Sequence, residues 1–175
     1  MHRTEALPGD VKKPSISPRE TEFEKRRGVS RVEVRTGFAQ VHVANLKGAP
    51  MAMRLAVLEA VAGVSVSIDF LKLTPSGLSF IVPEGSADVI REALRGIKAT
   101  VDVFKDRSIV LVHAVNIRDE EGLVARIVRQ LIHSGASVDH IGDMHDRLLM
   151  VLERSEGKRV AELFERTLVE ASDAS

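Results

Sequence analysis

The sequence predicts an α+β protein made of two tandem units, each an antiparallel sheet covered by helices on one face. Three observations predict it. Apolar residues alternate at period two over short runs and elsewhere recur at helical spacing, in the order strand, helix, strand, strand, helix, strand. That order then starts again. Two stretches also repeat: Val41-His42-Val43-Ala44-Asn45-Leu46-Lys47 answers Val112-His113-Ala114-Val115-Asn116-Ile117-Arg118, and Ser67-Ile68-Asp69 answers Ser137-Val138-Asp139. The expected division is a disordered tail over 1–28, unit one over 29–105, unit two over 106–170, and a short tail over 171–175.

The tail is punctuated by Pro8, Pro14 and Pro18 and is too charged to bury surface that would offset its ordering entropy. Its cluster Lys25-Arg26-Arg27 sits among acids and reads as a solvated face. Residues 29–35 alternate charged and apolar, which predicts an edge strand, and Thr36-Gly37 a turn. Ala39, Val41 and Val43 then line one face of a strand. Pro50 stands near the start of a helix over 51–62 that has few polar residues, so both its sides are expected to face protein. A strand over 64–74, a turn at Pro75-Ser76-Gly77 and a strand over 78–82 make a hairpin. Ser86 suits the cap of a helix over 87–95, and a strand over 97–104 closes the unit.

After a turn at Asp106-Arg107, unit two repeats the plan. A strand ends at Asn116, a helix runs over 122–134, and 136–143 and 148–152 form a hairpin. Ser155 is the expected cap of a last helix with Val160, Phe164 and Leu168 on one face. Each unit is thus a split βαβ, or ferredoxin-like, arrangement. Unit two lacks its final strand, and 29–35 is surplus to unit one, so the simplest topology lets 29–35 complete the paired sheets.

Composition excludes several classes of function. Twenty-five basic and 25 acidic residues leave no net charge to gather nucleic acid or an anionic membrane. Six Phe, no Trp and no Tyr give little for base stacking. The absence of Cys removes thiol catalysis and thiolate metal sites. No apolar run reaches a membrane span and the N-terminus lacks a secretory core, so a cytoplasmic protein is expected.

The candidate site is the loop and helix start at 116–123. Backbone N–H groups of Gly122 and Leu123 could hold a carboxylate, Asp119 and Glu120 an ammonium, and Ser137 and Asp139 would complete the wall. The repeat gives a second, weaker site at Gly48, Pro50, Met51, Ser67 and Asp69. His140, Asp143, His145 and Asp146 cluster in sequence, but strand alternation points them apart, and no metal site is expected. His42 and His113 occupy matching positions and could approach one another across adjoining sheets. No nucleophile motif, phosphate loop or carboxylate pair stands out, so neither catalysis nor a cofactor is expected.

With these residues in order, 29–169 resembles the tandem ACT domains of the regulatory part of aspartokinases. The resemblance rests on 29–46, on 50–62, on Val66-Ser67-Ile68-Asp69 and Leu78-Ser79-Phe80-Ile81-Val82-Pro83, and in unit two on 122–127 and 136–139. It implies effector binding between units, usually of an amino acid, through a loop that is often Asp-x-Pro-Gly. Unit one has Gly48-Ala49-Pro50-Met51 and keeps the Pro; unit two has Asp119-Glu120-Glu121-Gly122 and keeps the acid and the Gly. Where the family often has Asn in the second strand, both units have Ser, at Ser67 and Ser137. The expectation is a non-catalytic regulatory module, a homodimer with a small-molecule effector and an enzyme partner. The alternative is a structural or dimerisation module that has lost effector binding. The residues before Val29 supply no kinase fold, so kinase activity does not carry over.

Overall fold

The computed structural model describes residues 28–114, 117 and 121–173, with side chains through 166. The expectation of a tail over 1–28 therefore falls, Gly28 apart, outside the described residues. Six strands form one antiparallel sheet in the order β2-β3-β1-β4-β6-β5. The elements are β1 (Val29–Ala44), α1 (Pro50–Gly63), β2 (Phe70–Thr74), β3 (Gly77–Pro83), α2 (Ala87–Ala93), β4 (Thr100–Ala114), α3 (Leu123–His133), β5 (Val138–Asp143), β6 (Arg147–Glu153) and α4 (Arg154–Asp173).

Both expected turns, at Thr36-Gly37 and Asp106-Arg107, are absent. β1 and β4 run straight through them as strands of 16 and 15 residues. The turn signals were real in one sense: Gly37 has φ 84° and Asp106 φ 61°. Register shifts flank Phe38 on β1, so the left-handed backbone serves irregularities that let a strand continue.

Each long strand serves both units. Residues 38–43 of β1 pair with β3, whereas 29–36 pair only with 108–114 of β4. The edge expectation thus holds for 29–36, and this segment supplies the fourth strand missing from unit two. The result is two ferredoxin-like arrangements, one with α1 and α2 and the other with α3 and α4.

Each has its own core. Ala39, Val41, Val43, Phe80, Val82, Val57, Val61, Ile90 and Leu94 pack together in unit one. Val110, Val112, Leu148, Met150, Leu152, Leu123, Ile127, Leu131, Val160 and Phe164 do so in unit two. A third cluster joins Ile81 to Ile109, Leu111, Leu149 and Val151, with Phe38 and Phe70 against it. These side chains alternate with those facing the helices, so the cluster lies on the helix-free faces. The two halves therefore bury apolar surface against each other.

Several boundaries differ from expectation. β2 begins at Phe70, and Val66 and Ile68 pack on the core from outside the ladder. The helix α4 starts at Arg154, so Ser155 lies within its first turn and does not precede it. Ser86 makes no side-chain cap bond to α2.

Candidate functional site

In unit two, β4 delivers the chain to Ile117, which is 1% exposed and anchors the loop in the core. Asn116, Arg118, Asp119 and Glu120 lie outside the described residues. Gly122 takes φ 76° and is the N-cap of α3, with its carbonyl accepting from the Arg126 N–H at 2.9 Å. Among the described residues no side chain caps this helix start, and its first turn holds no acid. Nothing lies within 4 Å of where a Gly122 Cβ would be. The opening N–H groups of α3 and the positive end of the helix dipole are what a carboxylate would meet at this helix start. Leu123, buried in the core, fixes the helix against the sheet.

The other expected wall is elsewhere. Ser137 follows α3, beyond Ser134 and Gly135, and its backbone hydrogen-bonds the Glu156 carboxylate of α4. A helix of 11 residues spans about 16 Å, so Gly122 and Ser137 are at opposite ends of one unit. Asp139 does not stand free. Its Oδ2 is 2.7 Å from Arg107 Nε, in a pair with little exposure on the Arg107 side. The structure therefore does not bring Gly122 and Leu123 together with Ser137 and Asp139 inside a single unit.

Unit one shows the same separation. Pro50 begins α1 with Gly48 in the loop just before it, while Ser67 and Asp69 follow its far end and are exposed. Gly48 has φ 122°, and a Cβ there would sit 3.3 Å from Met53 Cγ. Pro50 at the helix start removes one N–H that a ligand could use. Met51 points outward, 67% exposed. Arg54 holds the β2–β3 turn by donating to the carbonyls of Gly77, Thr74 and Pro75. Its role was visible only as a lone cation on an apolar helix.

The histidines are separate. The register sets His42 opposite Asp102 and His113 opposite Arg31, at the two ends of β1, so they do not form a pair. His113 Nε2 is 3.2 Å from an Arg31 guanidinium nitrogen and 3.5 Å from Glu33 Oε2. Burial and then the Arg31 charge hold its pKa below the usual value. His140 packs its ring on Phe70 at 4.4 Å between centroids, linking β5 to β2 across the two units. Burial, and then the charge of Lys72, lower its pKa too. Among the described residues, no three His, Asp or Glu side chains converge as metal ligands would, and no helix is long and apolar enough to cross a membrane.

No protein-family model matches the chain, and no curated protein sequence matches it. Solved structures do. A structure of aspartokinase alpha and beta subunits aligns with TM-score 0.73 at 19% identity, covering 81% of this chain and 99% of that one. The ligand-free regulatory subunit of aspartate kinase from Thermus thermophilus aligns with TM-score 0.71 at 17% identity, over 79% of this chain and 98% of that one. Aspartokinase III of E. coli, in complex with lysine and aspartate, aligns with TM-score 0.63 at 13% identity, over 81% of this chain but 34% of the kinase. The fold of this chain is that of the aspartate kinase regulatory subunits.

Proposed function

We propose that this chain is a non-catalytic regulatory module that binds a small amino-acid-like effector between ACT-like units contributed by two copies. The start of α3 behind Gly122 carries the reading, because no described side chain caps it and a Gly122 Cβ would meet nothing within 4 Å. Asp119 and Glu120 would take the effector ammonium. Ser137 would come from the other copy, since α3 separates it from Gly122 within one chain. The weaker site at Gly48, Pro50, Met51, Ser67 and Asp69 would be built the same way. The aspartokinase III of similar fold was solved with lysine and aspartate, which supports an amino acid as the class to test.

A second copy also suits α1. Its outward face carries Met51 and Leu55, 67% and 56% exposed, beside the edge strand β2 with Leu71 and Leu73 part-exposed. Such a surface is what a homodimer would cover. The bound dimer would act on an enzyme partner in the cytoplasm. Calorimetry against the twenty amino acids tests the proposal: saturable heat with one of them is expected, and no heat with any at millimolar ligand would refute it.

Two observations favour the second reading, a dimerisation module without an effector. Asp139 is already engaged by Arg107, and Pro50 has removed a donor from unit one. A constitutive dimer on gel filtration, unchanged by every amino acid, would establish that reading instead.

A further inference from the structure

Beside the start of α1, unit one carries a cleft of about 310 Å³ lined by Asn45, Lys47, Ile97, Lys98, Ala99 and Thr100. Its walls are the loop after β1 and the link from α2 to β4. They are cross-braced: the Lys47 N–H donates to the Lys98 carbonyl at 3.2 Å, and Asn45 Nδ2 donates to Thr100 Oγ1 at 3.2 Å. The Ala99 N–H closes a tight turn onto the Ile97 carbonyl at 2.9 Å, and Leu46 N–H ties the first wall to Ser76. Asn45 adopts φ 55°, a left-handed conformation that a side-chain residue takes at some cost. The concavity is therefore formed before anything enters it.

Its lining residues include two lysines and no acid. Neither Lys47 nor Lys98 makes an ion pair among the described residues. Arg31, Arg35, Arg91, Arg95, Lys105 and Arg147 each have a carboxylate partner, whereas Lys72 and Lys158 share with the two lysines the lack of one among the described residues. Thr100 accepts from Asn45 and so keeps its own proton to donate, while Asn45 keeps a second amide hydrogen. The lining is thus rich in donors, and its charge is of one sign. The sequence gives an independent pointer, because the same Asn-aliphatic-cation triplet recurs as Asn116-Ile117-Arg118 after the first strand of unit two.

We infer that this cleft is a binding site for a small oxyanion carrying more than one negatively charged oxygen, of the phosphate or dicarboxylate class. The two lysines would neutralise it, and Thr100 and Asn45 would donate to it. The site lies apart from α3 and does not depend on effector binding there, although its Lys47 adjoins Gly48 of the weaker effector site.

Backbone amide NMR of the full chain tests this, titrating with inorganic phosphate in one arm and malonate in the other at constant ionic strength. Saturable shifts confined to Asn45, Lys47, Lys98, Ala99 and Thr100 are expected with at least one anion. Phosphate alone would mark a phosphate-bearing ligand, and malonate alone a dicarboxylate. The variant Lys47→Gln with Lys98→Gln should weaken the effect about tenfold or more, while Lys158→Gln should leave it intact. All three positions are exposed, so folding is expected to survive, and the dispersion of the remaining amides checks it. No saturable shift with either anion, or equal shifts around exposed lysines elsewhere, would overturn the inference.

Discussion

Gly77→Ala should destabilise this protein more than a small change at the first residue of a strand suggests. The Cβ it adds would lie 1.8 Å from the Val43 carbonyl oxygen, 2.8 Å from that carbonyl carbon and 3.1 Å from Ala44 Cα. All three are backbone atoms of a central strand, so no side chain can swing away. Relief to an ordinary contact needs a movement of about 1.6 Å, which close packing does not supply cheaply. The movement pulls on the last rung of the β1–β3 ladder, Val43 opposite Leu78, and on the Arg54 bond to the Gly77 carbonyl at 3.1 Å. Overpacking costs about 1–3 kcal/mol and each weakened hydrogen bond about 1 kcal/mol, so a loss of about 3–4 kcal/mol is expected. At roughly 2–4 °C per kcal/mol for a chain of this size, the thermal midpoint should fall by about 6–16 °C. Thermal and urea unfolding followed by circular dichroism would measure it. Gly63→Ala is the matched control: its Cβ meets nothing within 4 Å, it ends α1, and it should be neutral or slightly stabilising. A Gly77→Ala midpoint within about 2 °C of the parent would refute the steric reasoning.

Other perturbations separate the remaining ideas. His113 and His140 both have folded pKa values below their unfolded value near 6.5, so the unfolded chain binds more protons as pH falls through that value. Stability should therefore decline from about pH 7 downward, and His140→Asn should flatten the slope in urea midpoints measured across that range; an unchanged slope would show that His140 does not contribute. Phe164→Ala empties a fully buried site in the unit-two core and should cost about 3–5 kcal/mol by urea denaturation. Leu55→Glu places a charge on the exposed apolar face of α1; sedimentation should then show a monomer where the parent is expected to run as a dimer, with the thermal midpoint nearly unchanged.

The repeat and the order of elements were legible because periodicity is local and was written twice. Val41 and Val43 face the unit-one core as alternation requires, and Leu123, Ile127 and Leu131 face the unit-two core at helical spacing. Gly37 and Asp106 misled because a left-handed residue looks the same in sequence whether it ends a strand or bends it. The Arg107–Asp139 pair links strands distant in sequence and leaves no local signature. The separation of Gly122 from Ser137, by contrast, could have been read: a helix stood between them, and its length alone forbids a shared pocket within one unit. Lys47 and Lys98 were invisible as a pair until β1 and β4 placed their loops side by side.

The sharing of β1 between halves has a consequence for how this chain can be taken apart. Unit one, residues 38–105, is contiguous and sits as an insertion inside unit two, whose first strand and remaining elements flank it. Thr36 and Ser108, the two sides of that insertion, are paired neighbours on adjacent antiparallel strands. The gap left by excising unit one is therefore no wider than a hairpin, and a two-residue turn such as Asn-Gly would rejoin the ends in register. Unit two could then be made as an uninterrupted chain, with the helix-free side of Ile109, Leu111, Leu149 and Val151 newly bare and in need of polar replacements.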